Sequence, residues 1–320
     1  MKLSIEEILA DRHVGRMQSV GPMQVIPILG EDDDGFAPPD LDAGTTGYGR
    51  VEVRNRHDRG TIVPPGSAWI VDRRVQDHAI GAGALVPAKA ARTLDRAMCI
   101  QQSQPGLIEV ERHPLQILPA RLRATALALR DQDEYNRLWS HISAFKAAHG
   151  LTGSMGNLVD FLRAFARELD QFVAEFELVP QQVGALILVG GRLVGIELAP
   201  SAAYWEAVWV PLVRVCYGTV ALEVGRRTAA PPPTRSALQV LHGSVEGIAE
   251  AVAAADRADE QVVRDVVTSV AGTKVRALPG KADTLGDAKL RTVESKHLIG
   301  QVVVRTGGRV PYASLLARAA

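Results

Sequence analysis

The feature of this chain that most constrains its fold is a hairpin pattern that occurs twice. Residues 184–198 read GALILVGGRLVGIEL, and residues 300–315 read GQVVVRTGGRVPYASL. In each copy an apolar, β-branched run is followed by Gly-Gly-Arg and a second apolar stretch. Both central positions of a tight two-residue turn need a positive φ, which glycine adopts without strain, so the pattern predicts two antiparallel hairpins. The copies match over little more than the hairpin itself, and internal duplication and convergence both stay open.

The rest of the chain divides into two parts by its hydrophobic period. Residues 1–115 contain short alternating or apolar stretches separated by Pro and Gly, and Arg50–Asn55 alternates strictly, so this part is β-rich. Residues 116–320 add stripes typical of helices over 120–149, 158–179, 202–223, 238–255 and 259–270. The valines of the last segment also suit a strand. We expect an α+β protein in which mainly antiparallel sheets and β-hairpins pack against several helices, both parts forming one composite domain.

Four local signals indicate where elements begin or end. Ser4 with Glu7 three residues later is a capping box. Ser201 is a helix N-cap, and Pro211 should kink the helix that follows or mark its real start. Residues 229–234, AAPPPT, form the clearest linker.

Composition argues against several classes of function. Lys+Arg and Asp+Glu both total 36, and a chain without excess positive charge is not expected to bind nucleic acid. The two cysteines do not form Cys-x-x-Cys, and the eight histidines never occur as H-x-x-x-H, so we predict neither a metal site nor a cofactor. The chain opens without a secretory signal, and no apolar run reaches the ~20 residues of a membrane span. We expect a cytoplasmic protein without a membrane partner.

The densest polar segment, residues 72–78, reads DRRVQDH and lies between two predicted strands. Arg73 and Arg74 offer the paired donors that bind phosphate or carboxylate groups. Asp77 can orient the His78 imidazole and raise its pKa, which would make an acid–base pair. We therefore predict a site for a small phosphorylated ligand at Arg73, Arg74, Gln76, Asp77 and His78. The alternative is a solvated connection whose charges pair with one another.

Two other polar segments have structural explanations. Residues 31–34, EDDD, are typical of a solvated acidic loop rather than a metal site. Residues 153–157, GSMGN, predict a loop in which Ser154 or Asn157 caps the next helix. A nucleophilic Ser154 is disfavoured because the segment lacks Gly-x-Ser-x-Gly and follows a helix.

Several stretches resemble, in the same order, the ADP-ribosylglycohydrolase- and rhodanese-phosphatase-superfamily-associated protein domain family, a bacterial group. Gln76 and Asp77 match the Gln-Asp of its DGGKQDR turn, Leu85–Pro87 its Val-Pro element, and Cys99 its cysteine. Residues 182–197 are the closest match, and residues 298–309 match in type. Arg73 and Arg74 stand where the family usually has glycine. The resemblance implies an ADP-ribose- or nucleotide-linked role by genomic association, with no activity attached to it.

These observations support two functional hypotheses. The first is a non-enzymatic binding or assembly module that forms homo-oligomers through a hairpin edge, because structural signals are strong and catalytic motifs are absent. The second is an enzyme or sensor that acts on an ADP-ribose- or NAD-type phosphorylated nucleotide through Arg73, Arg74, Asp77 and His78.

Overall fold

The computed structural model describes residues 1–33, 35–71, 76–103, 105–153, 155–228 and 245–318, without the side chains of 245–249. The helices in these residues are α1 (Ile5–Ile8), α2 (Ala120–Ala128), α3 (Trp139–Ala148), α4 (Leu158–Ala164), α5 (Ala166–Glu175), α6 (Ala202–Val210), a π-helical segment (Pro211–Tyr217), α7 (Gly218–Arg227) and α8 (Val245–Ala271). The strands of the first part are β1 (Lys2–Ser4), β2 (His13–Val14), β3 (Gln18–Val20), β4 (Met23–Leu29), β5 (Phe36–Ala37), β6 (Leu41–Gly47), β7 (Arg50–Asn55), β8 (Gly60–Val63), β9 (Ser67–Trp69), β10 (His78–Ala79), β11 (Ala84–Val86), β12 (Ala91–Asp95), β13 (Met98–Cys99), β14 (Glu111–Arg112) and β15 (Leu115–Ile117). The remaining strands are β16 (Gln182–Val189), β17 (Arg192–Leu198), β18 (Lys274–Ala277), β19 (Asp283–Leu285), β20 (Ala288–Glu294), β21 (Leu298–Val304) and β22 (Tyr312–Ala317). The predicted α+β class is confirmed.

The main sheet joins the two ends of the described chain. Its strand order is β1-β18-β20-β21-β22-β17-β16-β4-β2, with β19 also paired to β20 and β3 to β4. All of its described pairings are antiparallel. One face packs on α6, the π-helical segment and α7, and the opposite face packs on α1 and α8. The sheet is therefore buried between two helical layers.

Both predicted hairpins form and lie side by side at the centre of this sheet. In the first, Gly190 and Gly191 connect β16 and β17 with φ of 59° and 73°, as predicted. The second has a longer connection, because β22 begins only at Tyr312. Pro311 precedes it and has no N–H to donate to the ladder, which explains the delay.

The hairpin strands offer no free edge in the described structure. Each of β16, β17, β21 and β22 has a hydrogen-bonded neighbour on both sides, and β1 and β2 end the strand order. Homo-oligomer formation stays a prediction, but the hairpins are not available as its route.

The β-rich part adds three smaller sheets. β12-β7-β6-β14 packs face to face on β13-β10-β9-β15, with Val51, Val53, Trp69 and Ile80 in the apolar layer between them. The outer face of the second sheet packs on α2 to α4. The third sheet, β11-β8-β5, includes the parallel pair β5–β8 and contributes Ile62 and Leu85 to the core of the main sheet.

The predicted helix after Ser201 is confirmed, but Pro211 acts in an unexpected way. Ser201 Oγ accepts the N–H of Tyr204 at 3.1 Å, as an N-cap does. Helix continues through Pro211 as a π-helical turn in which Gly218 donates to the Val213 carbonyl five residues back. Proline lacks the N–H that an α-helix needs at that position, and a wider turn accommodates the gap.

The helical run Ala202–Arg227 has the length and composition of a membrane-spanning helix. Its most apolar window has a mean hydropathy of 1.4, and 61% of that window is buried inside the protein. Core helices share these properties, so the run argues only weakly for a span. The cytoplasmic location stays a prediction.

The acidic segment differs from expectation, and the valine-rich segment forms the predicted helix rather than its strand alternative. Asp33 is buried and bonded to Arg305 Nη2 at 3.0 Å, and Asp32 Oδ1 accepts the N–H of Ala202 at 2.8 Å, so the acidic loop is not simply solvated. The valines near the end of α8 lie on a continuous helix rather than a strand. The proposed linker at 229–234 lies outside the described residues.

Candidate functional site

The three described residues of the predicted polar turn are buried rather than solvated. Gln76, Asp77 and His78 are 7%, 2% and 0% exposed. His78 lies on β10, directly between Trp69 of β9 and Cys99 of β13. Asp77 Oδ1 accepts the N–H of Val71, six residues earlier in the chain, at 2.7 Å. Arg73 and Arg74 lie outside the described residues, so their part in the site stays a prediction.

The His78 imidazole is held in one neutral tautomer. Its Nδ1 lies 2.7 Å from the Gln76 carbonyl oxygen, and a carbonyl only accepts, so Nδ1 carries the hydrogen. Nε2 then presents a lone pair. Burial lowers the pKa of His78, against the expectation that Asp77 would raise it. The reason is geometric: the Asp77 carboxylate binds a backbone N–H, and the hydrogen bond of Nδ1 goes to a carbonyl.

Cys99 lies beside His78 and is equally enclosed. Its sulfur lies 3.4 Å from the backbone N of Gln101. Burial raises the pKa of the Cys99 thiol, which keeps it protonated at neutral pH. The nucleophilic form of cysteine is the thiolate, so a Cys99 thiol that stays protonated is a poor nucleophile.

Three polar atoms around this pair have no hydrogen-bond partner within the described residues. They are Gln76 Oε1, His78 Nε2 and Gln101 Oε1. Side chains two apart in a strand lie on the same face of the sheet, so Gln76 and His78 share a face with Ile80. Ile80 packs in the core against β6 and β7, and that face therefore points toward the sheet of β6 and β7. The group can accept hydrogen bonds from a water molecule or from a small donor.

A second buried polar group was missed by sequence reasoning. Arg123 of α2 is 1% exposed, and its Nη1 lies 2.5 Å from Glu197 Oε1 of β17. Arg123 also donates to Ser314 Oγ of β22 at 2.7 Å and, through Nε, to the Pro65 carbonyl at 2.7 Å. Glu197 and Ser314 face each other across the two hairpins. The guanidinium therefore ties both hairpins, a helix and the β-rich part together.

The groups around Arg123 are kept in single charge states. Burial would lower the pKa of Arg123, but the Glu197 carboxylate more than offsets it and raises that pKa well above its usual value. Tyr217, from the π-helical segment, donates to Glu197 Oε1 at 2.6 Å. Burial raises the pKa of Cys216 to about 12. The sequence does contain a signal for this buried pair: Arg123 stands among apolar residues of a predicted helix, and Glu197 stands among apolar residues of a predicted strand.

One cleft of the described structure has a volume of about 590 Å³ and includes a buried aromatic side chain in its lining. It lies between the β5–β6 connection, the β14–β15 turn and α6, and Trp69 contributes to its lining. Arg112 and Asp40 form an ion pair at 2.7 Å. Glu206 belongs to α6 and lines the cleft on the side of that helix. His113 Nε2 donates to the Glu109 carbonyl at 3.2 Å, which leaves its Nδ1 as the acceptor of the neutral ring. This volume lies within the range of small-molecule sites.

The loop before α4 does not work as predicted. Asn157 occupies the N-cap position, but its side chain makes no cap hydrogen bond. It bonds Ser103 instead, donating to Oγ at 2.9 Å and accepting from the backbone N–H at 3.2 Å. Ser154 lies outside the described residues. Within the described part of the chain, no group of three or more His, Cys, Asp or Glu side chains is arranged to hold a metal ion.

Comparison with known proteins gives one match. Residues 11–300 match the model of a family described as the ARG and Rhodanese-Phosphatase-superfamily-associated Protein domain. No curated protein and no solved structure matches this chain.

Proposed function

We propose, from the premise that this chain belongs to the ARG and Rhodanese-Phosphatase-superfamily-associated Protein domain family, that it is a non-enzymatic binding module. Its ligand would be a small polar molecule held in the cleft of Asp40, Trp69, Arg112, His113 and Glu206. The observation that carries the proposal is this cleft, in which three segments place charged side chains around a buried indole.

The chemistry of the buried groups favours binding over catalysis. His78, Cys99 and Cys216 are each 0% exposed. Burial raises the pKa of both thiols and lowers the pKa of His78, so all three are uncharged at neutral pH. A nucleophile or general base has to reach its substrate within hydrogen-bond distance, and these three side chains do not reach solvent.

The cleft lining suggests the class of ligand. Arg112 can bind an anionic group of the ligand, because its ion pair with Asp40 lies at the surface. Surface ion pairs are weak, so an anionic ligand can replace the Asp40 carboxylate as the partner of Arg112. Trp69, which is only 2% exposed, and Pro38, Pro39 and Pro114 give the lining apolar surface. We propose an anionic molecule with an apolar part, a class that includes nucleotides.

The first experiment is a thermal-shift screen of the full chain with ADP-ribose, NAD, nucleotides and divalent metal ions. A ligand at about 100 times its Kd stabilises a fold by about 2.7 kcal/mol, which is a shift of a few degrees for a chain of this size. Each compound that shifts the transition is then incubated with the protein and followed by mass spectrometry. A thermal shift without chemical conversion of the compound supports a binding module. Turnover of the compound would show instead that the protein is an enzyme.

A pair of variants locates the site. Ala207 is exposed on α6 and lines the cleft, so Ala207→Arg should fill it and abolish the shift. Ala144→Arg places the same side chain on an exposed position of α3 and should leave the shift intact. An unchanged shift in Ala207→Arg would exclude the cleft.

A further inference from the structure

Positive charge is concentrated at one edge of the main sheet, although the chain as a whole carries a formal net charge of zero. Five basic side chains from β1, β18, the β20–β21 turn and the end of β22 line a hollow of about 450 Å³. We call it the basic hollow, and its basic residues are Lys2, Lys274, Arg276, Lys296 and Arg318.

The strand register forces like charges together there. Lys2 is directly opposite Arg276 on the neighbouring strand, and Arg276 is directly opposite Glu294 on the next. Directly opposed residues on adjacent strands share a face, and like charges in that position destabilise the pair. The arrangement therefore costs stability unless negative charge is placed over it.

Protein groups supply only part of that negative charge. Glu294 is the carboxylate that lines the hollow, and it pairs with both Arg276, at 2.8 Å, and Arg318. Within the described residues, the Lys2 and Lys296 side chains have no hydrogen bond or ion pair. Lys274 acts on Glu7, but the Glu7 carboxylate is already bonded to Ser4.

We propose that the basic hollow binds a compact ligand with two or more phosphate groups. The planar guanidinium of Arg318 can present paired donors to phosphate oxygens, and the lysines that line the hollow add point charges. The volume exceeds what a single phosphate group fills, and five cations around one carboxylate leave an excess that suits several negative charges. This site is separate from the cleft of Asp40 and Trp69 and does not depend on the function proposed for it.

The test uses inorganic triphosphate as the probe, titrated into the full chain by calorimetry at constant ionic strength. The variant Lys2→Gln/Lys274→Gln/Lys296→Gln removes three exposed charges that make no side-chain hydrogen bond in the described structure, so its fold should be retained. The matched control, Arg121→Gln/Arg167→Gln/Arg192→Gln, removes the same charge from exposed positions elsewhere.

We expect the lysine variant to bind triphosphate at least about tenfold more weakly and the control to bind as the unmodified chain does. Binding should also weaken as salt is added. No heat of binding to the unmodified chain, or equal weakening in both variants, would overturn the proposal.

Further arms identify the source of the phosphate groups. Inorganic diphosphate, ADP and a single-stranded oligonucleotide are titrated under the same conditions. Tighter binding of the oligonucleotide, lost in the lysine variant, would overturn the assignment to a small ligand in favour of a nucleic acid. Ala207→Arg should not affect triphosphate binding, so this result is independent of the thermal-shift screen.

Discussion

Arg123 shows at the scale of one residue how a buried charge is held in this fold. Removing a guanidinium from water is costly, and the loss is offset only when its donors are satisfied. Arg123 has a carboxylate, a hydroxyl and a backbone carbonyl as partners. Each partner comes from a different segment of the chain, so Arg123 holds these segments together in the folded protein.

Removal of one charge from this pair should be strongly destabilising. Glu197→Gln leaves the Arg123 guanidinium uncompensated, and we expect the free energy of unfolding to fall by about 3–5 kcal/mol in urea titrations. The double variant Arg123→Met/Glu197→Gln should lose less than the sum of the single changes. Asp170→Asn, which removes the partner of Arg214 in an exposed pair, is the control and should cost about 0–1 kcal/mol. Equal losses in the two acidic variants would contradict the buried role.

His78 should make stability depend on pH. Its folded-state pKa lies below the value of about 6.5 for an unperturbed histidine, so the unfolded chain binds a proton more readily. Stability from this residue is therefore complete above about pH 6.5 and is lost as the pH falls below it. Urea midpoints measured between about pH 7.5 and 5 should fall less steeply in His78→Gln than in the unmodified chain. His141→Gln, at an exposed position, should keep the original slope, and a steep slope in both variants would rule out His78 as the cause.

At the scale of elements, the hairpins need glycine in the turn and in the strand for different physical reasons. Gly191 has a positive φ of 73° and open space around its Cα. Gly184 lies inside β16, where an added Cβ would be 2.2 Å from the Glu197 carbonyl oxygen. Gly300 of β21 repeats this, with an added Cβ 1.9 Å from the Ser314 carbonyl oxygen. The turn glycine is needed for its backbone conformation and the strand glycines for close approach.

Alanine substitutions should separate these two requirements. Gly191→Ala places a side chain in a left-handed conformation and should cost about 1 kcal/mol. Gly184→Ala forces the central strands apart and should cost about 3 kcal/mol. Chemical unfolding measures both. Gly191→Asn should be the mildest change, because asparagine tolerates this conformation, and a larger loss in Gly191→Ala than in Gly184→Ala would refute the distinction.

At the scale of the whole molecule, the two predicted parts share their apolar core. The cluster on the helical face of the main sheet includes Phe36, Ile62 and Leu85 from the β-rich part together with Trp205 and Tyr312. Arg123 adds a polar link to the Pro65 carbonyl. Neither part can bury this surface without the other.

The chain should therefore unfold in one cooperative transition. We expect calorimetry to show a single peak, and tryptophan fluorescence and far-ultraviolet circular dichroism to report the same midpoint. Two resolved transitions would instead identify the parts as independent domains.

Local pattern was sufficient for much of the architecture. The strict alternation of Arg50–Asn55 predicted β7, the Ser4–Glu7 capping box predicted α1, and Gly190–Gly191 predicted the first hairpin turn. Each of these features is caused by residues that lie within a few positions of one another, so it can be predicted from the local sequence. The second hairpin was predicted less well because Pro311 delays the start of its return strand.

The burial of polar groups could not be read in the same way. Asp77 and His78 were predicted as an acid–base pair or as part of a solvated connection, and Asp33 as part of a solvated acidic loop. All three side chains are instead enclosed by segments distant in sequence. Arg123, Glu197 and Ser314 meet only because a helix lies across two adjacent hairpins. The sequence by itself determined where most of the helices, strands and turns form, because those depend on local conformational preference. The tertiary structure alone decided which charges lose contact with water and which partners they find, because both depend on packing between distant segments.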